Sequence, residues 1–198
     1  MYQYGTGATA VGVKVKEGVV LGAEKRFSYG GYVLSKVGKK VFAIGDRFGI
    51  ACAGLVADIQ AISKIMLAEV KYYETVTGRS MTVRAAAKLL ANILYSYKLM
   101  PLISETLFGG IDYTGAHLFV MDPLGSLIED DYASVGTGAP IAIGIIESEY
   151  KPEMTISEAR ELVVKSIKAA ISRDALSGDG IDLLMITSQG LKEELIRL

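Results

Sequence analysis

The sequence predicts an α+β fold, a four-layer αββα sandwich in which two face-to-face sheets are each covered by a pair of helices. Strand-like and helix-like segments occur in blocks rather than in alternation, which favours α+β layering over a parallel βαβ sheet. The helix-like segments are amphipathic, so each needs a sheet face to cover. Hydrophobic residues make up 51% of the 198 residues, and mean hydropathy is +0.34. This apolar content fits a core of several layers or a subunit interface.

The first block contains strands. Apolar and polar residues alternate over residues 9–16 (TAVGVKVK), which predicts a strand with Val11, Val13 and Val15 on one face. Further strands are predicted at residues 19–24, 32–35, 40–44 and 47–53. The strands at 32–35 and 40–44 are expected to form a hairpin around Val37-Gly38.

The hydrophobic period then changes to that of a helix. Residues 55–75 place an apolar side chain every three or four positions, at Leu55, Ile59, Ile62, Met66, Val70 and Tyr73. Gly78 follows as a stop signal. Residues 81–100 repeat the pattern and end before Pro101. Two adjacent antiparallel helices are therefore expected.

A second set of strands and helices completes the chain. Strands are predicted at residues 105–112, 116–121, 126–129 and 132–135, with tight turns between them. A short helix is expected at residues 140–150. Thr155 and Glu158 form a capping-box pattern that opens a helix to about Ser172. Residues 181–187 (IDLLMIT) are predicted to form the last strand.

Composition excludes several classes of function. The 21 Lys and Arg residues balance 22 Asp and Glu residues, so no basic patch indicates nucleic acid. No apolar run reaches the roughly 18 residues that would indicate a membrane span. The single cysteine, Cys52, excludes a disulfide framework and a cysteine-based zinc site. We therefore expect a cytoplasmic protein without a metal or cofactor.

The chain divides into a short leader and one domain. Residues 1–7 (MYQYGTG) have neither the charged nor the apolar region of a secretory signal. We interpret them as a propeptide-like leader, followed by a single domain over residues 8–198.

Seven short segments carry a resemblance to a known family. They are 8–12 (ATAVG), 24–26 (EKR), 38–40 (GKK), 53–58 (AGLVAD), 108–112 (FGGID), 136–138 (GTG) and 172–178 (SRDALSG). Each segment is weak alone, but in this order and on these elements they resemble the proteasome β-type subunits of the N-terminal-nucleophile hydrolases. Archaeal subunits are the most similar, and the resemblance extends over nearly the whole chain from Ala8.

The resemblance implies a threonine-type endopeptidase site. In this family an N-terminal threonine hydroxyl attacks the peptide carbonyl, and the free α-amine of the same residue is the base. By resemblance, Lys40 is the lysine beside the nucleophile and Glu24 is its acidic partner. Thr137, Asp174 and Ser177 correspond to the residues that hold the amine and the lysine, with Thr137 in place of a more usual serine.

The resemblance also implies a substrate site. The backbone N–H of Gly54 corresponds to the oxyanion donor. A substrate would lie as an added strand between Ser28 and Val56. Phe27, Cys52 and Val56 would line a mostly apolar specificity pocket.

One position departs from the family. The nucleophile is expected three residues before the Val11-Gly12 pair and 32 positions before Lys40, and both counts lead to Ala8. Alanine carries no nucleophile. The alanine could be natural to this chain or introduced in place of threonine. The pair Thr9-Ala10, which also departs from the usual run of threonines in the family, favours a natural alanine.

Three functions follow from the resemblance. The first is a non-catalytic β subunit of stacked heptameric rings, assembled with α-type subunits and a threonine-bearing β subunit. Such rings degrade unfolded polypeptides that an ATPase activator supplies. The second is an active endopeptidase with Thr9 as nucleophile, which requires cleavage after Ala8 and a one-residue slip of the strand. The third, a stand-alone amidohydrolase, is disfavoured by the absence of inserted substrate loops.

Overall fold

The computed structural model describes residues 7–198, so residues 1–6 of the predicted leader lie outside it. The elements in chain order are β1 (Thr9–Val15), β2 (Gly18–Glu24), β3 (Phe27–Tyr29), β4 (Tyr32–Ser35), β5 (Val41–Ile44), β6 (Phe48–Gly54), α1 (Val56–Thr77), α2 (Val83–Ser96), β7 (Ser104–Asp112), β8 (Gly115–Met121), β9 (Ile128–Asp130), β10 (Tyr132–Gly136), α3 (Ala139–Glu149), α4 (Ile156–Ile171), β11 (Ile181–Thr187) and β12 (Gly190–Ile196).

Two antiparallel five-stranded sheets form the centre of the molecule. The first has the order β10-β1-β2-β11-β12 and the second the order β5-β6-β7-β8-β9. One apolar cluster packs α3 and α4 on the first sheet, and another packs α1 and α2 on the second. A third cluster lies between the two sheets. These three cores confirm the predicted four-layer αββα sandwich.

The alternation in β1 assigns its side chains to two different cores. Val11 and Val13 belong to the cluster beneath α3 and α4. Ala8 and Ala10 belong to the cluster between the sheets. Successive side chains of a strand point to opposite faces, so this order follows directly from the sequence. The same rule separates Ala8 from Thr9 at the start of the strand.

The predicted hairpin at residues 32–44 is wrong. β4 pairs with β3, and β5 pairs with β6. The turn between β3 and β4 uses Gly30 and Gly31, which both have positive φ, at 55° and 83°. Consecutive residues with positive φ suit a tight hairpin turn, and glycine adopts this conformation without a steric penalty.

A last strand, β12, was not predicted. It contains Lys192, Glu193 and Glu194, and it forms the edge of the first sheet beside β11. Charged residues are common on edge strands because they oppose pairing with other chains. Their presence interrupts the apolar pattern from which strands are predicted.

Two of the helix signals agree with the structure, whereas α2 ends at Ser96, four residues before the predicted end at residue 100. Gly78 ends α1 in the left-handed conformation, and Thr155 and Glu158 make both hydrogen bonds of the capping box at α4. Across the described part of the chain, the helices are too short or too polar to span a membrane.

The close approach of α4 to the first sheet yields a stability prediction. A Cβ atom at Gly22 would lie 2.7 Å from Val163 Cγ1, whereas one at Gly144 in α3 would meet nothing within 4 Å. We expect Gly22→Ala to lower the free energy of unfolding by about 1–3 kcal/mol through overpacking. Gly144→Ala, the matched control, should raise it by about 0.5–1 kcal/mol. Equilibrium urea unfolding checks both values, and equal stabilities would contradict the packing described.

Candidate active site

A buried carboxylate, that of Glu24, forms the centre of the site. It lies at the end of β2 and has no exposed surface. Its Oε2 accepts the backbone N–H groups of Arg26, at 2.7 Å, and Gly178, at 2.9 Å. Its Oε1 contacts Lys40 Nζ and accepts the backbone N–H of Thr9 at 3.4 Å. One side chain thus connects β1, the end of β2, the start of β5 and the loop before β11.

Lys40 is the cation of this site. It lies just before β5, where its carbonyl accepts the N–H of Cys52 at 3.0 Å. Its side chain is 1% exposed, and Nζ donates to Glu24 and, at 2.5 Å, to the carbonyl of Arg26. The Phe27 ring centroid lies 5.0 Å from Nζ. Lys40 is therefore fixed by carboxylate, carbonyl and ring contacts.

Burial acts on the protonation of both partners. It raises the pKa of Glu24 and lowers the pKa of Lys40, because each charged form loses its hydration. The charge of each partner opposes the shift of the other. The two backbone N–H groups on Glu24 add to this opposition. Removal of either side chain would therefore leave the other charge buried without its partner.

Asp174 forms a second centre with two hydroxyl groups. Its Oδ2 accepts Thr137 Oγ1 at 2.6 Å and Ser177 Oγ at 2.7 Å. Ser177 Oγ also lies 2.8 Å from Thr9 Oγ1, and Thr137 Oγ1 lies 3.3 Å from the carbonyl oxygen of Ala8. The structure therefore brings the predicted residues Thr137, Asp174 and Ser177 together at the start of β1.

Ala8 and Thr9 face opposite sides of β1. Ala8 is 1% exposed and packs with Val41 and Ala53 in the cluster between the sheets. Thr9 has no exposed surface, and a Cβ at Gly138 would lie 2.0 Å from its hydroxyl oxygen. Because Ser177 donates to Asp174, the Thr9 hydroxyl donates to Ser177. The hydroxyl of Thr9 is therefore enclosed on the helix side of the sheet.

The predicted oxyanion residue, Gly54, ends β6 with φ at +152°. A Cβ there would lie 2.1 Å from the carbonyl oxygen of Ile103. Only glycine fits between these two backbone segments. The backbone at Gly54 is consequently fixed close to the paired strand β7.

The predicted substrate-binding residues differ in how far they are buried. Ser28, in β3, is 8% exposed, and among residues 7–198 its hydroxyl is a buried side-chain oxygen without a hydrogen-bond partner. Phe27 and Val56 are half-buried, at the start of β3 and of α1 respectively. These three positions stay candidates for contact with a peptide.

Cys52 departs from its predicted role. Its side chain has no exposed surface and packs in the cluster beneath α1 and α2. Its sulfur lies 3.7 Å from Thr106 Oγ1, and burial raises the pKa of the thiol to about 11. Contrary to the sequence prediction, Cys52 offers no surface to a substrate, because its position in β6 turns it toward the helix layer.

Sequence reasoning assigned no role to Arg26 and Asp179. The Arg26 guanidinium donates to Asp179 Oδ2 at 2.7 Å and to the Ala175 carbonyl at 3.0 Å. This contact holds the loop that carries Ser177 and Gly178 against the end of β2. In the sequence, Arg26 lies in a charged segment of the kind found on protein surfaces. Only its contact with Asp179 in the folded chain shows that it has a structural role. Within residues 7–198, no group of three His, Cys, Asp or Glu side chains is arranged to hold a metal ion.

The layers and the site together define a class of protein. Two sheets packed between helix pairs, with a lysine, two acidic residues and three hydroxyl groups at the start of the first strand, form the sandwich of the N-terminal-nucleophile hydrolases. A family model described as "Proteasome subunit" matches residues 4–186, and the chain therefore belongs to the proteasome subunit family.

Curated relatives agree with this assignment. The chain is 61% identical over 186 residues to proteasome subunit beta 1 of Hyperthermus butylicus, covering 93% of this chain and 91% of the relative. It is 55% identical over 186 residues to proteasome subunit beta 1 of Ignicoccus hospitalis, covering 94% and 93%. It is also 55% identical over 192 residues to proteasome subunit beta 2 of Pyrobaculum calidifontis, covering 97% and 95%. The resemblance to archaeal proteasome β-type subunits is confirmed.

The buried pair yields a prediction of stability and of its pH dependence. Lys40→Met should lower the free energy of unfolding by about 3–5 kcal/mol, because it leaves the Glu24 carboxylate buried without its cation. In that variant burial holds the pKa of Glu24 above its ordinary value of 4.5. The folded state then binds the proton more tightly than the unfolded state, so stability should be highest at low pH and fall as the pH rises above about 4.5.

The control is the double variant Glu24→Gln, Lys40→Met, which removes both charges and keeps acceptor and donor atoms at position 24. It should recover most of the lost stability and lose the pH dependence. Urea unfolding at several pH values measures both effects. A Lys40→Met variant as stable as the wild type would contradict the role assigned to the pair.

Proposed function

We propose that this chain is a β-type subunit of a 20S proteasome core that builds the proteolytic chamber but supplies no nucleophile. The observation that carries the proposal is the placement of Ala8. By resemblance, Ala8 occupies the position where the family has its threonine. Thr137 Oγ1 lies 3.3 Å from the Ala8 carbonyl oxygen, and the next residue, Thr9, contacts Glu24 and Ser177. The surroundings of a nucleophile are thus present without the nucleophile.

The chemistry of such a site explains why alanine matters. An N-terminal threonine needs a hydroxyl to attack the carbonyl and a free amine to accept the proton. Ala8 lacks the hydroxyl, and its nitrogen is an amide while Gly7 precedes it. Lys40 and Glu24 cannot replace a nucleophile, since Lys40 Nζ already donates to Glu24 and Arg26.

Exposed apolar side chains support a subunit within an assembly. Large hydrophobic residues of the described chain are exposed on and just after the β3–β4 hairpin, on α1 and after α2, at Tyr29, Tyr32, Leu34, Val37, Tyr72, Val76, Leu99 and Met100. Groups of exposed large apolar side chains are typical of protein interaction sites. We propose that it is covered by α-type subunits and by other β-type subunits in stacked heptameric rings.

The proposed assembly includes a second, threonine-bearing β subunit. Two of the relatives are named beta 1 and one is named beta 2, which supports a core with more than one β chain. The substrates would be unfolded polypeptides supplied by an ATPase activator. This chain would shape the chamber and position its active neighbour.

The alternative is an active endopeptidase with Thr9 as nucleophile. One observation favours it, because Thr9 contacts Ser177 through its hydroxyl and Glu24 through its backbone nitrogen. Against it, the Thr9 hydroxyl lies on the face of β1 opposite to Ala8. Thr9 also pairs with Gly136, and Ala10 pairs with Ala23, so a one-residue slip would break the register with both neighbouring strands.

The experiment is coexpression of the full chain with an α-type subunit, followed by measurement of the N-terminal mass and of hydrolysis of an apolar fluorogenic peptide. We expect an uncleaved Ala8-Thr9 bond and no turnover in the wild type. Ala8→Thr should permit processing and raise turnover at least about 100-fold above that background, because the surrounding groups are in place. Adding Lys40→Met to Ala8→Thr should abolish the gain.

The two functions predict different outcomes for Thr9. A wild-type chain that begins at Thr9, with turnover lost in Thr9→Ala, would overturn the non-catalytic proposal and establish the alternative. Turnover of the wild type that persists in Thr9→Ala would exclude both. Peptide hydrolysis is compared with that of the α-type subunit expressed alone.

A further inference from the structure

The β3–β4 hairpin stands apart from the two large sheets. Its strands pair with each other in a sheet of their own. Tyr29 lies opposite Tyr32, so the two side chains share one face of the hairpin beside the Gly30-Gly31 turn. They are 62% and 71% exposed. A two-stranded hairpin is marginally stable in water unless its apolar face packs on another surface. The exposed tyrosines therefore indicate a face that a partner covers.

A cleft of about 590 Å³ lies between the two sheets, where β8 and β9 are opposite β10 and α3. Its walls are mostly apolar and include Val120, Ile128, Val135 and Ile143. Ile128 is 57% exposed although its side chain is large and apolar. Exposed apolar walls of this kind are typical of an interaction site.

The polar lining of the cleft suits a tyrosine side chain. Asp122 lines the cleft, and its Oδ1 accepts the N–H groups of Leu124, at 2.8 Å, and Ser126, at 3.1 Å. The second carboxylate oxygen can accept a donor that enters the cleft. A tyrosine carries an apolar ring with an O–H donor at its tip. A ring packed on Val120 and Ile128, with its hydroxyl on Asp122, would use both properties.

The charges of the hairpin and the cleft are opposite. Lys36, directly after β4, has a side chain that is 71% exposed, and its Nζ lies 3.9 Å from Asp179 Oδ1. An ion pair at this distance and exposure is weak, so Lys36 can also meet another acid. At the cleft, Asp122 and Asp130, the last residue of β9, are exposed. A basic hairpin and an acidic cleft attract each other.

The hairpin and the cleft belong to opposite edges of the sandwich. The hairpin leads into β5, the outer strand of the second sheet, and Lys39 then donates to Glu193 of β12, the outer strand of the first sheet. The cleft is lined by β9 and β10, which are the outer strands at the other edge. A hairpin therefore cannot fill the cleft of its own molecule. It can meet this cleft only on a second molecule.

We propose that the β3–β4 hairpin of one copy of this chain docks in the cleft of a second copy, with Tyr29 and Tyr32 in the cleft and Lys36 facing Asp122. Because the two surfaces differ, a pair of copies leaves one hairpin and one cleft for further copies. The contact then repeats head to tail and closes as a ring if the rotation between copies permits. The proposal rests on the ring assembly of the proposed function and names the surfaces that form it. It involves neither Ala8 nor a nucleophile.

Disulfide cross-linking of the full chain, coexpressed with an α-type subunit, tests this contact. Tyr32→Cys and Ile128→Cys in the same chain put one thiol on the hairpin and one in the cleft. The native Cys52 has no exposed surface and adds little background. After mild oxidation we expect trimers and larger species on a non-reducing gel, because every copy carries both halves of the contact. Each substitution alone should give none of these species.

The control pair is Val76→Cys with Ile128→Cys. Val76, in α1, is 65% exposed but lies outside the hairpin. Thiols held together by docking react at a far higher effective concentration, so the first pair should give at least about ten times more cross-linked chain than the control. Equal yields from the two pairs, or dimers without larger species, would overturn the proposal.

The charge contact has its own test. In the chain with Tyr32→Cys and Ile128→Cys, Lys36→Glu should lower the cross-linked yield about tenfold, because it sets two acids against each other. Lys71→Glu, at an exposed position of α1, should leave the yield unchanged. Equal yields in these two variants would overturn the placement of Lys36 at Asp122.

Size-exclusion chromatography of the same samples reports ring assembly separately. Rings without the cross-linked species would overturn this contact and leave the proposed function standing. A chain that forms no rings with its α-type partner would contradict both.

Discussion

The buried carboxylate of Glu24 is the interaction on which the arrangement around β1 depends. A charge with no exposed surface needs several donors, because removal from water costs several kcal/mol. Here the donors come from four separate segments, at Thr9, Arg26, Lys40 and Gly178. Each segment must therefore occupy its place before the charge is satisfied. The start of β1, the end of β2, the approach to β5 and the loop after α4 are fixed together.

In the proposed non-catalytic subunit, this dependence explains why the other residues of the site are retained. Lys40 and Glu24 hold segments of both sheets, and Asp174 holds Thr137 of the loop before α3 and Ser177 of the loop before β11. Their contacts stabilise the fold whether or not a threonine precedes Thr9. Replacing a threonine by Ala8 removes only a hydroxyl and a methyl group from this arrangement. Catalysis is therefore easy to lose while the structure around it stays intact.

Much of this arrangement could be predicted from the sequence, for identifiable reasons. The hydrophobic periodicity predicts the four-layer fold, and the family resemblance identifies Lys40, Glu24 and Asp174 as site residues. Periodicity failed at β12, whose charges suit a sheet edge, and at the β3–β4 hairpin, where two glycines set the turn. No local pattern indicates that Arg26 reaches Asp179 or that His117 meets Glu129, because those contacts join residues 153 and 12 positions apart.

The proposed function places an alanine, Ala8, in the surroundings of a nucleophile. A crystal structure of the Ala8→Thr variant, assembled with its partners, tests this most directly. The account predicts that the introduced hydroxyl lies within hydrogen-bonding distance of Lys40 Nζ, and that the contacts of Glu24 with Arg26 and Gly178 are unchanged. A hydroxyl turned away from Lys40, or a displaced Lys40–Glu24 pair, would contradict it.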